Sequence, residues 1–93
     1  MSVELDEPWG LSPSVALRPE PFGALAYHFG NRKLIFLKAP ELVEVVRGLA
    51  DAADVRSALV AADVPEAAWP AYLAALANLA TSDMLSLRKD AAA

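Results

Sequence analysis

A chain that does covalent chemistry has to supply a nucleophile, a base or a set of metal ligands, and this one, of 93 residues, supplies very little. It contains no cysteine and a single histidine, His28. That removes the thiol nucleophile, the cysteine-based zinc site and the disulfide framework together. His28 sits in an alternating segment with no serine, cysteine or carboxylate close to it in sequence, and reads as a strand side chain on an exposed face. Asp6, Glu7, Asp51, Asp54, Asp63 and Glu66 fall in the leading segment or where helices begin, so they read as solvated charge and caps rather than as an acid–base pair. Gly30 and Gly48 stand alone, and no glycine-rich loop is available to cradle a phosphate. The pattern predicts no enzyme, no metal and no cofactor. What remains is the chemistry of a surface, and the stretch that offers one is Lys33–Lys38, "KLIFLK", four apolar residues between two lysines.

The body that must hold this strand is small. A hydrophobic content of 56% against 22% charged residues is that of a globular chain, and its length allows one core and no more. The start, "MSVELDEPWG", has neither the basic end nor the apolar stretch of a signal peptide. The longest uncharged run, Ala67 to Ser82, is short of the ~20 apolar residues that span a bilayer. A soluble, cytoplasmic protein without a membrane partner is expected. A net charge of −4 and a pI of 4.7 argue against a nucleic-acid surface. Residues 1–14 read as an extended lead-in, pinned to the body by Trp9 and Leu11. Residues 15–87 read as the folded domain, and 88–93, "RKDAAA", as a free, disordered tail.

Val15 to Arg18 reads as a short strand, stopped by Pro19 and Pro21 and placed at an edge by them. From Leu25 to Phe29 the chain alternates, with Leu25, Tyr27 and Phe29 on one face and Ala26 and His28 on the other. Gly30-Asn31 is hairpin chemistry because both residues tolerate positive φ. Lys33–Lys38 is the return strand. A two-residue turn pairs Tyr27 with Leu34, and a four-residue loop pairs Phe29 with Leu34. Either way the large residues Leu25, Tyr27, Phe29, Leu34 and Phe36 share a face, because a change of two residues keeps the pleat parity. That face is expected to be the core face. Ile35 and Leu37 then need a second cover, from the Trp9–Leu11 segment or from a partner.

Three helices follow. "KAPELVEVVRGLA" begins with Pro40 at its first position and carries the stripe Leu42, Val45, Val46 and Leu49. "DVRSALVAAD", capped by Asp51 or Asp54, presents Val55, Leu59 and Ala62. The third segment is the most periodic, with Trp69, Tyr72, Leu73, Leu76, Leu79 and Ala80 at helical spacing and Pro70 in its first turn. The predicted fold is α+β: a three-stranded antiparallel sheet followed by three helices, like a winged helix-turn-helix with its wing strands moved to the front. Its third helix makes a poor DNA reader. From Pro65 to Asp83 there is no lysine or arginine to reach phosphates or base edges.

If Lys33–Lys38 lies at the sheet edge, its unpaired N–H and C=O groups form a template for another strand, and flanking lysines guard such an edge against aggregation. An extended peptide could pair there and place side chains beside the third helix, as in β-augmentation. The same residues fit equally a strand that belongs to the core and carries two solubilising lysines.

The segment "LRPEPFGALAYHFGNRKLIFLKAPELVEVV" closely resembles the PqqD-like family of recognition elements for ribosomally made, modified peptides, in its mycofactocin-system branch. The resemblance runs from about Trp9 to Leu87. It implies a three-stranded sheet followed by three helices, with no active site and no metal or cofactor. It implies a precursor leader bound as an added strand in a cleft beside the third helix, then delivered to a radical SAM maturase. Carried onto this chain, the peptide-binding positions are Lys33, Leu34, Ile35, Phe36, Leu37 and Lys38 on the strand. Trp69, Tyr72, Leu73 and Leu76 are those on the helix. A monomer, or a weak homodimer through the same edge, is expected, with no nucleic-acid partner.

Overall fold

A computed structural model describes residues 2–88. Strands β1 (Trp9–Leu11), β2 (Val15–Glu20), β3 (Gly23–His28) and β4 (Leu34–Leu37) lead into helices α1 (Pro40–Gly48), α2 (Val55–Ala61) and α3 (Trp69–Thr81), and β5 (Leu85–Leu87) closes the described chain. Short 3-10 turns at Leu49–Asp51 and Glu66–Ala68 precede α2 and α3. The main sheet has the order β2-β3-β4, antiparallel throughout. The three strands and three helices are those the sequence predicts. A second, two-stranded ribbon was not foreseen: β1 pairs with β5 across nearly the whole chain, Trp9 opposite Leu87 and Leu11 opposite Leu85.

The β3–β4 register pairs Tyr27 with Leu34 and Ala24 with Leu37, the first of the two registers the turn allowed. The turn chemistry differs from expectation. Arg32, at φ 63°, takes the left-handed position, not Gly30 or Asn31. The His28 Nδ1 atom accepts the Gly30 and Asn31 N–H groups at 3.0 and 3.1 Å. The loop tip is thus organised by the one histidine.

The grouping of side chains by face is as predicted, but the core face is the other one. Ala24, Ala26 and Leu37 are buried, while Leu34 and Phe36 are 55% and 59% exposed. Two physical reasons select this face. Arg18 lies opposite Leu25, which lies opposite Phe36, so the large-residue face carries a charge that cannot be buried unpaired. The small Ala24 and Ala26 let α1 seat closely on the strands, where Val45 and Val46 fill the layer beneath. Ile35 and Leu37, expected to be covered by the lead-in or a partner, lie on the face that α1 covers, and β1 packs on α1 and the turn after it.

The lead-in instead completes α2. The first N–H groups of a helix lack intrahelical partners. Here Val55 N–H donates to the Glu7 carbonyl at 3.1 Å, Arg56 N–H to Leu5 at 3.0 Å, and Ser57 N–H to the Asp54 carboxylate at 2.8 Å. Helices α2 and α3 both end on an aspartate in the left-handed region, Asp63 (φ 59°) and Asp83 (φ 60°). Val64 N–H then reaches back to the Leu59 carbonyl and Met84 N–H to that of Leu79, the Schellman closure, with both apolar residues folded into the core. Arg88, expected to open the free tail, is tied down. Its backbone N–H donates to the Pro8 carbonyl at 2.8 Å and its guanidinium to the Ala50 and Ala52 carbonyls. The remaining tail positions, 89–93, lie outside the described residues.

Gly23 is the position where the β2–β3 turn admits no side chain: its φ is 147°, and a Cβ would collide with the Leu37 carbonyl oxygen. Gly23→Ala should cost on the order of 1–3 kcal/mol, read as a fall in melting temperature of roughly 5–20 °C. At the start of α2, the Ser57 backbone N–H, then its hydroxyl, hold the Asp54 carboxyl below its ordinary value of 3.8, with Arg56 adding a smaller effect. A carboxyl that is a stronger acid when folded contributes fully above its ordinary value, and the contribution is lost as pH falls through the depressed native one. Asp54→Ala should therefore cost about 1 kcal/mol at neutral pH. Thermal melts stepped down in pH should show the gap to the unsubstituted chain narrowing only below 3.8.

Candidate functional site: an open strand edge beside a groove

Which backbone groups of β4 are free follows from one hydrogen bond. His28 N–H donates to the Lys33 carbonyl at 3.0 Å, so 33, 35 and 37 direct their polar groups toward β3, and the alternation leaves those of Leu34 and Phe36 aimed at the open edge. On the opposite edge, Phe29 N–H donates to the Ser14 carbonyl. The same counting turns positions 15, 17 and 19 of β2 outward. Position 19 is proline, with no N–H to offer. Of the two edges, β4 is the one equipped to accept a strand.

Helix α3 is tied to the β3–β4 hairpin at one end and faces α1 at the other. At the start of β4, the Asn31 side-chain amide donates to the Ser82 carbonyl, just past α3, at 3.2 Å. Beyond the end of β4, Ala39 and Leu42 of the α1 entry face Ala71, Tyr72 and Ala75 of α3 across an apolar groove of about 180 Å³. Helix and strand therefore run in opposite senses, with an alanine-lined hollow just past the end of β4.

The site residues taken from the resemblance divide in this frame. Leu34 and Phe36 are exposed on the outer face, Ile35 is half-buried and Leu37 buried on the inner face, and Lys33 and Lys38 stand exposed at the ends. Tyr72 lines the groove. Leu76 is fully buried in the core, so it supports the site from behind and meets no ligand. Trp69 and Leu73 lie on the other flank of α3, with Leu5 and Arg56, and the Trp69 indole N–H is spent on the Val64 carbonyl at 2.9 Å. Sequence reasoning overlooked Ala39, Leu42, Ala71 and Ala75. In an alanine-rich chain the small residues read as filler, and only the Ala71/Ala75 repeat one turn apart hinted at a floor. Phe29 was grouped with the expected core face, which the parity of Arg18 would have turned outward, and Phe22, in the β2–β3 turn, was overlooked.

Among the described residues no cluster of three or more His, Cys, Asp or Glu side chains could hold a metal. No helix there is long and apolar enough to cross a membrane. What the geometry can do is pair a backbone and bury alternate side chains.

A model of the peptide chaperone MftB family matches residues 8–86. The chain is 58% identical to the peptide chaperone MftB of Mycolicibacterium smegmatis, covering 91% of this chain and 83% of that protein. It is 58% identical to the protein of that name from Mycobacterium ulcerans (86% and 73% covered), and 54% identical to the one from Mycobacterium tuberculosis (90% and 77%). No solved structure matches.

Proposed function

The chain belongs to the peptide chaperone MftB family, and on that premise we propose that it holds the leader of a ribosomally made precursor peptide as a strand added to β4. The family role is non-catalytic handling of a peptide. In this reading the chain presents its peptide to a radical SAM enzyme of mycofactocin biosynthesis, in the cytoplasm, through a PqqD-like fold. The strand–strand–strand–helix–helix–helix order supports that fold assignment. The observation that carries the binding mode is the free edge of β4, with the polar groups of Leu34 and Phe36 turned outward and the α1–α3 groove beside it.

Magnitudes divide the work between edge and groove. Two residues offer four backbone hydrogen bonds, each worth roughly 0.5–1.5 kcal/mol net. Ordering a flexible leader costs about 2–5 kcal/mol of the gross interaction. The two are comparable, so pairing alone holds register with little affinity to spare. A branched apolar side chain seated in the groove adds about 1.5–3 kcal/mol, and a micromolar complex, at about −8 kcal/mol, draws on it and on strand contacts. The backbone supplies attachment, and the groove supplies choice. Lys33 and Lys38, at the two ends of the edge, speed the approach of an acidic leader.

Leu34→Pro removes an outward N–H without touching the β3 ladder. It should weaken binding of a fluorescently labelled leader at least about tenfold (1.4 kcal/mol) while thermal melting stays cooperative. A folded variant with unchanged affinity would end the strand-addition reading. Ala75→Leu, which fills the groove from a half-buried position, should weaken the same leader by a similar factor. The same free edge also favours a second reading, a homodimer with β4 against β4. Light scattering over a range of concentrations decides it, and a strict monomer removes it.

A further inference from the structure

The outer face of the sheet is not used by a peptide on β4 or by any element of the described chain. Phe29 and Phe36 are each 59% exposed, Leu34 55% and Phe22 37%. Scattered exposed apolar residues need no explanation, but contiguous ones mark an interaction surface. These are contiguous. Phe22 meets Phe36 with ring centroids 5.6 Å apart, Tyr27 meets Phe29 at 5.3 Å, and Tyr27 lies opposite Leu34 in the ladder.

Charge identifies the occupant. Four of the chain's eight lysines and arginines, namely Arg18, Arg32, Lys33 and Lys38, belong to the sheet and its hairpin, although the whole chain carries −4. Arg18 stands on the outer face of β2, and Lys38 shares a hollow with Phe22 and Phe36. Arg32 stands at the hairpin end, and Lys33 beside it falls with Ile35 and Leu37 on the other side of the pleat. The one acid among these strands, Glu20, is already paired with Arg18 at 3.1 Å. A second copy set face to face would offer Lys38 no free carboxylate, since Glu20 is engaged by Arg18. Single-stranded nucleic acid stacks on flat, open rings, whereas the two ring pairs here meet edge to face at 72° and 74°. An apolar protein surface rimmed with carboxylates satisfies both the rings and the charge.

We propose that this face is a second docking surface, separate from the peptide cleft, for an acidic-rimmed apolar patch on the enzyme that receives the peptide. The inference rests on the chaperone reading above. A strand on β4 continues the sheet, so its outward side chains lie flush with this face, and an enzyme seated here touches the peptide it is to modify.

The test uses the double variant Phe22→Ser/Phe29→Ser and, separately, Arg18→Glu; none of these residues is on β4 or in the groove. Two affinities are measured for each: that of the labelled leader by anisotropy, and that of the purified radical SAM maturase by sedimentation velocity. Both variants should keep leader affinity within about twofold and lose maturase affinity by about tenfold or more. Association of the unsubstituted chain should weaken as sodium chloride is raised, and that of Arg18→Glu should respond less. Unchanged maturase affinity in both variants overturns the proposal. So does loss of the leader together with the maturase in folded variants, which would make the face part of the peptide site. A concentration-dependent dimer that the double variant dissolves, or tight binding of a labelled oligouridine that it abolishes, also overturns it in favour of those occupants. If the unsubstituted chain binds the maturase through this face but no leader, the chaperone reading fails and the docking surface stands.

Discussion

The seating of α1 on Ala24 and Ala26 is the constraint on which the rest of the molecule depends. A sheet of three strands can be covered on one face by three short helices and no more. The two alanines bring the helix close enough for Val45, Val46 and Leu49 to fill the layer without voids. Once that face is taken, Leu37 is fixed inward and Phe36 outward by the pleat. The large aromatics of the outer face are left in water by that arrangement. A chain of this size cannot bury all its apolar residues. This one gathers Phe22, Phe29, Leu34 and Phe36 on a single sheet face, while Val60 and Leu87 are exposed elsewhere.

The termini serve the same end. The β1–β5 ribbon and the Arg88 guanidinium, set on carbonyls at the end of α1's extension, draw both ends of the chain to the helical side. The carbonyls of Leu5 and Glu7 accept N–H groups from the first turn of α2. None of these interactions lies on the outer face of the sheet or on the β4 edge. One hydrogen bond, from the Asn31 side chain to the Ser82 carbonyl, links the hairpin to the end of α3.

Edge, groove and outer face offer three different kinds of surface. The edge offers directional hydrogen bonds that any backbone can make, and the groove offers apolar volume that only some side chains fit. The outer face offers cation-rimmed aromatic area. Pro19 on the β2 edge makes the arrangement one-sided, because a strand lacking an outward donor there is a poor template.

From the sequence alone came the order of elements, the α+β class, the absence of a catalytic constellation and the grouping of Leu25, Tyr27, Phe29, Leu34 and Phe36 on one face. These are local properties, set by periodicity, proline and turn chemistry. The resemblance of the hairpin segment pointed to peptide handling, and the family comparison agrees. Tertiary structure decided which face is covered, since the pleat is symmetric until a helix docks on one side of it. It separated Tyr72 from Trp69 and Leu73, since the arc of α3 that faces the groove depends on where α1 and the lead-in pack. It also made a groove floor of alanines that carry no signal in a sequence rich in them, and it joined Trp9 to Leu87. Each of these rests on contacts between residues far apart in the chain, and a local pattern fixes which residues travel together but not which of them meet.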